Sequence, residues 1–146
     1  MKRIVLLTVT AGLSLGLIAS ATAQNNPAKP ETPAKQPGEG KGAQLIDVAR
    51  AEKLIEAKKV LIVDVRTPKE FAAGHLAGAT NVDFRDKDFE AKAAKLPKDQ
   101  PILVHCASGV RSAKACEIMT RLQFPLLYDL KGGIHAWEAA GKPVVK

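Results

Sequence analysis

From residue 43 onward, short unbroken apolar runs alternate with stretches in which apolar residues recur every three or four positions. Val60-Leu-Ile-Val-Asp-Val65 is a continuous, largely β-branched run, as expected of a strand covered on both faces. Ile102-Leu-Val-His105 has the same character, and Leu126-Leu-Tyr-Asp-Leu130 has it more weakly. Helices are predicted near Ala49–Ala57, Pro68–Ala73, Phe89–Lys95, Val110–Leu122 and Ile134–Ala140. The second of these carries its own boundary signals. Thr67 stands as cap, Pro68 at the first helical position, Glu70 closes a capping box, and Gly74 follows as the stop. Gly141 and then Pro143 end the last helix. Such alternation predicts an α/β domain over residues 43–146, with a parallel sheet flanked by helices on both faces. Ligands of such sheets lie at the carboxyl ends of the strands. Two polar pairs fall there: Asp64 with Arg66, and His105 with Cys106.

The segment ahead of this domain has a different pattern. Lys2 and Arg3 precede an apolar run from Ile4 to Ile18, and Ala21-Thr22-Ala23 offers small residues for cleavage before Gln24. Residues 1–23 therefore read as an export signal peptide. The run falls short of the ~20 apolar residues that span a bilayer, and no cysteine follows it to carry a lipid. Residues 24–42, QNNPAKPETPAKQPGEGKG, are rich in Pro, Lys and Gly and hold no branched aliphatic side chain. They read as a flexible tether. The expectation is an exported protein without stable membrane insertion after cleavage, in a bacterial periplasm.

Composition adds mainly exclusions. The chain has 146 residues, a formal charge of +7 and 4% aromatic residues. Without Lys2 and Arg3 the balance is 20 basic against 15 acidic residues, a net of +5. The charges are scattered and aromatics for base stacking are few, which argues against nucleic acid as a partner. The three histidines and two cysteines lack metal-ligand spacing, so no metal is expected. In an exported protein two cysteines suggest a disulfide, but a helix after Gly109 places Cys116 at least two turns beyond Cys106. That is about 11 Å, against about 5.5 Å between bridged Cα atoms. A mutual bridge is not expected, and the loop thiol calls for another explanation.

Cys106 leaves a strand and precedes a helix, where backbone N–H groups have no intrahelical partner. Those donors and the positive helix end stabilise an anion, so this thiol is expected to be largely thiolate at neutral pH. Gly109 permits a tight turn. Ala107 and Ser108 are small, which predicts an open mouth. Arg111 brings a planar cationic fork near the helix start. It is expected to bind anions, and a pairing with Asp64 is compatible with that role.

Three blocks then become informative together. Asp64-Val-Arg66 continues through Glu70-Phe71 to Gly74-His75-Leu76-Ala77-Gly78-Ala79 and Asn81-Val82; Cys106-Ala-Ser-Gly-Val-Arg111 follows; Gly132-Gly133, Ala136-Trp137 and Gly141-Lys142-Pro143-Val144 close the chain. In this order and spacing they resemble a rhodanese domain, the module that carries sulfur as a cysteine persulfide, and they cover most of residues 44–146. The resemblance implies Cys106 as the nucleophile, residues Ala107, Ser108, Gly109, Val110 and Arg111 as the substrate-binding loop, and Asp64 and Arg66 as organisers of the site. It implies small sulfur-containing anions as substrates, a thiol or protein as acceptor, and no cofactor. Mercaptopyruvate and polysulfide stand beside thiosulfate as donors, because Ala107 and Ser108 add no cations to the mouth.

Two other functions fit a reactive loop cysteine: a non-enzymatic persulfide or redox carrier acting with a protein partner, and a phosphatase or arsenate reductase. Cysteine-dependent phosphatases resemble this loop but place five residues between cysteine and arginine; here there are four, and Ser112 occupies the next position. The shorter loop draws its amides inward, toward the size of one sulfur atom. His105 is expected to be a strand residue, His75 a turn hydrogen-bonder and His135 a surface residue or pocket border. Cys116 and Trp137 are expected in the core.

Overall fold

The computed structural model describes residues 42–146. The expected signal peptide and nearly all of the tether fall on residues 1–41, outside the described residues. Five strands and five helices follow in order: β1 Gln44–Ile46, α1 Val48–Glu56, β2 Leu61–Asp64, α2 Pro68–Ala73, β3 Thr80–Asn81, α3 Phe89–Ala93, β4 Ile102–His105, α4 Val110–Arg121, β5 Leu127–Leu130 and α5 Gly133–Ala139. All strand pairs are parallel, in the order β1-β5-β4-β2-β3.

Side-chain alternation along the central strands divides the core in two. Val63, Val65, Ile102, Val104 and Leu127 pack with Phe89, Ala93, Ala115, Cys116 and Met119 of α3 and α4. Ile62, Leu103, Tyr128 and Leu130 pack on the other face with Ala51, Ile134 and Trp137 of α1 and α5. Both faces of the sheet are thus dry, which is why β2 and β4 lack polar alternation. Trp137 satisfies its one polar atom by donating Nε1–H to Pro143 O at 3.0 Å.

The helix starts follow local chemistry. At α2, Thr67 Oγ1 accepts from the Glu70 amide at 3.3 Å, and a Glu70 carboxylate oxygen accepts from the Thr67 amide at 3.0 Å. At α1, Asp47 supplies a cap that the apolar pattern did not mark, accepting from the Arg50 amide at 2.9 Å. The two short edge strands β1 and β3 were also not anticipated. With three and two residues, neither shows a periodicity of its own.

Candidate active site

Cys106 directly follows β4, and the loop from Cys106 to Gly109 delivers the chain into α4. Gly109 is the α4 cap at φ +100°, a left-handed conformation that a side chain would strain. Its amide donates to Cys106 Sγ at 3.1 Å. Burial pushes the thiol pKa up. The amide and hydroxyl of Ser112 and the amides of Gly109 and Ser108 face the sulfur and outweigh burial, so Cys106 ionises more readily than an ordinary cysteine.

α5 sets the orientation of this amide ring. The Ile134 amide donates to Cys106 O at 2.8 Å, and the His135 amide donates to Ala107 O at 3.1 Å. The C=O and N–H of a trans peptide point in opposite directions. Holding these two carbonyls against α5 therefore turns the following amides, those of Ala107 and Ser108, away from α5. The close approach depends on Gly133, where an added Cβ would lie 2.4 Å from Cys106 O and 2.6 Å from Ala107 O. With the loop drawn in so tightly, Cys106 is only 1% exposed. The small side chains of Ala107 and Ser108 do not leave the thiol open to solvent, contrary to expectation.

Arg111 does not pair with Asp64. Its guanidinium donates two bonds to Glu70, at 2.9 and 2.7 Å, joining the first turn of α4 to α2. Asp64 is already occupied: Arg66 Nε donates to both its carboxylate oxygens, at 3.0 and 2.9 Å, and Arg66 Nη2 also reaches Gly74 O at 2.7 Å. Glu70 is fixed by its capping duty, so its carboxylate meets Arg111 without further ordering. The bonds from Arg111 hold the Glu70 carboxyl far below the usual carboxylate range. Arg111 is nevertheless electrostatically coupled to Cys106. It offers the sulfur a cation whose charge Glu70 partly balances.

Asp64 and Arg66 are both buried and organise the strand ends behind the loop. Asn81 of β3 donates to Asp64 O at 3.0 Å and to Arg66 O at 2.8 Å, fastening the same segment. Breaking a buried ion pair from one side leaves a charge without a partner. Arg66→Leu is therefore expected to destabilise the domain by about 3–5 kcal/mol, read as a lower midpoint in urea unfolding with little change in slope.

The histidines take structural places. His105 is fully buried and held neutral by that burial, which outweighs the pull of Asp64. Its Nδ1 lies 3.4 Å from Cys106 O, and Nε2 has no hydrogen-bond partner. His75 Nδ1 lies 3.0 Å from Phe71 O and its ring stacks on Phe71, as a turn residue does. His135 is exposed and touches the loop through its backbone. Cys106 and Cys116 are free thiols. Burial drives the Cys116 thiol well above its ordinary value, leaving it protonated.

The site thus gathers Cys106 and its loop from β4 and α4, with Asp64 and Arg66 behind them. It adds Glu70, Ser112 and Gly133, whose parts were not read from the sequence. A partner for Arg111 was legible only as the capping glutamate of α2, a residue with an apparent role already. Ser112 followed from nothing except its place one residue after Arg111.

Comparison with known proteins identifies the family and the fold. The rhodanese-like domain family matches residues 39–140. A sulfurtransferase of Allochromatium vinosum is 33% identical over 95 residues, covering 65% of this chain and 87% of that one. The thiosulfate sulfurtransferase GlpE of Vibrio cholerae is 31% identical over 99 residues, covering 68% of this chain and 92% of its own. The crystal structure of a rhodanese-related protein from Thermoplasma volcanium superposes with a TM-score of 0.64 at 33% identity, covering 70% of this chain and 97% of that one. A parallel five-stranded sheet, a cysteine loop after its central strand and a match over most of the chain converge on one conclusion: this protein belongs to the rhodanese-like domain family.

Proposed function

We propose that the chain is an exported sulfurtransferase that moves sulfane sulfur from thiosulfate, or a related donor, to a thiophilic acceptor through a persulfide on Cys106. The observation that carries this reading is the amide ring around Sγ. It favours the thiolate, and its shape is held by α5. The sulfurtransferase names of the Allochromatium and Vibrio relatives support the reaction class.

In the first half-reaction the Cys106 thiolate attacks the outer sulfur of thiosulfate. A new S–S bond forms, the bond within thiosulfate breaks, and sulfite leaves with the electron pair. The product is a persulfide anion, whose charge the loop amides and the coupled Arg111 stabilise. In the second, a nucleophile such as cyanide or a thiolate attacks the terminal sulfur, and Cys106 departs again as thiolate. No proton need move in either step when cyanide is the acceptor, and ping-pong kinetics follow from the covalent intermediate.

Mass spectrometry of the protein after exposure to thiosulfate is expected to show a gain of one sulfur atom located at Cys106. Absence of that gain, or turnover of an aryl phosphate instead, would overturn the reading. Loading without catalytic release of thiocyanate would identify a carrier rather than an enzyme. Export is tested separately, by the N-terminus of the protein recovered from cells: cleavage after Ala23 supports it, and an intact Met1 sinks it.

A further inference from the structure

Two arginines follow the carboxyl ends of β2 and β4, and each is already matched by a carboxylate. Arg66 is held by Asp64 through bonds from Nε to both carboxylate oxygens. Arg111 gives the end of its guanidinium fork to Glu70, one bond from each terminal nitrogen, at 2.9 and 2.7 Å. Glu70 is fixed from its other side, where one carboxylate oxygen accepts from the amide and the hydroxyl of Thr67, at 3.0 and 2.7 Å. The Arg111 side chain is 18% exposed, so this pair is less open to screening than one on the surface. From Cys106 to Arg111 the only cation is Arg111. The cations nearest in sequence to the pair, Lys69 and Lys114, are both exposed, where water and salt weaken their reach.

We infer that Glu70 is a specificity-determining residue that acts through Arg111: by filling the guanidinium fork and balancing its charge, it sets the cysteine loop for singly charged sulfane-sulfur donors and against dianions such as thiosulfate. The inference rests on the sulfurtransferase reading and names the donor class of that site. Attack on thiosulfate brings three negative charges together, one on the thiolate and two on the donor. Attack on a thiosulfonate monoanion brings two. In that reaction the Cys106 thiolate bonds to the outer sulfur, the S–S bond of the donor breaks, and a sulfinate leaves with the electron pair. The amides that face Sγ can stabilise the one charge left on the persulfide. A second charge on the donor calls for a cation with a free fork, and Arg111 does not offer one while Glu70 holds it.

The test compares anions of one shape and different charge. Sulfate is a tetrahedral dianion and methanesulfonate its monoanionic counterpart; each is scored for protecting Cys106 from iodoacetamide at fixed pH and ionic strength. A Cys116→Ser background leaves a single thiol to read. With Glu70 present, sulfate is expected to protect no better than methanesulfonate. Glu70→Gln is expected to lower the half-protecting concentration of sulfate about tenfold and that of methanesulfonate by less than about threefold, the difference being one unit of charge. The glutamine keeps an oxygen for the Thr67 amide, so the cap of α2 persists. A half-protecting concentration does not depend on how much of the protein is folded, and a purely structural role for Glu70 would move both anions alike. Equal factors for the two anions, or no protection by sulfate in either protein, overturns the inference. So does a sulfate advantage above about tenfold with Glu70 in place, a measurement that needs no Glu70 variant.

Turnover with cyanide at saturation supplies the second arm. Glu70→Gln is expected to lower KM for thiosulfate by a similar factor with little change in kcat, and to leave KM for methanethiosulfonate nearly unmoved. Protection requires no sulfur transfer, so the two failures are distinguishable. A shifted sulfate profile without transfer from either donor sinks the transferase reading alone, and transfer with an unshifted profile sinks the role of Glu70 alone.

Discussion

Cys106→Ser is expected to abolish thiocyanate formation from thiosulfate and cyanide, by a factor on the order of 10⁴ or more, as for other enzymes stripped of their nucleophile. The reason lies in the chemistry of the attacking atom. A serine hydroxyl stays protonated in the same amide ring, and an oxygen cannot hold the transferred sulfur as a persulfide. The fold should be little affected, because the substitution conserves shape at a site whose carbonyls remain clamped by α5. Cys116→Ser serves as the opposite control. That thiol faces the core from α4, is kept protonated by burial and has the shape of a small apolar residue. Its replacement is expected to lower stability by about 1–2 kcal/mol, from burying a hydroxyl, while turnover per folded molecule persists. Steady-state rates normalised to folded protein by circular dichroism check both, and equal loss in the two variants would contradict the division of roles.

The second large effect is expected from a residue without a side chain. Gly133→Ala would place a methyl group against the carbonyl oxygens of Cys106 and Ala107, at 2.4 and 2.6 Å, in a position whose φ is +57°. Those contacts are with backbone, so no rotamer change relieves them. Either α5 moves away or the loop carbonyls turn, and either outcome releases the amides from their aim at the sulfur. The left-handed conformation alone costs about 1–2 kcal/mol for an alanine, and the displacement of packed backbone adds to it. We expect a total near 3 kcal/mol, which lowers Tm by roughly 10 °C or more for a domain of this size. Activity should fall at least about 100-fold, because misplaced donors in an anion site each cost about 10²–10³ in rate. Thermal unfolding and turnover measured on the same preparation decide this. A variant that unfolds earlier yet turns over normally would show that the α5 clamp stabilises the fold without shaping the site.

How far the site was legible depends on the distance in sequence between its parts. Cys106 through Arg111 are consecutive, so their strand end, glycine turn and helix start appear together in one stretch. The capping box at Thr67 and Glu70 was legible for the same reason. The second use of Glu70 was not, because its bond with Arg111 joins residues 41 positions apart. Asp64 was the more obvious candidate for Arg111, and only packing shows that Arg66 had already occupied it. Asn81 tells the same story: its backbone forms a two-residue strand and its side chain closes the loop after β2, neither of which a run of two residues announces.

Local chemistry alone thus determined the doubly covered strands, the principal helices and their stops, and the expectation of an ionisable thiol at a strand end, because each depends on neighbours a few residues away. Tertiary structure alone decided which side chains share a charge, where the edge strands pair and how closely α5 grips the cysteine loop. These are outcomes of competition among partners distant along the chain, and only the folded packing ranks them.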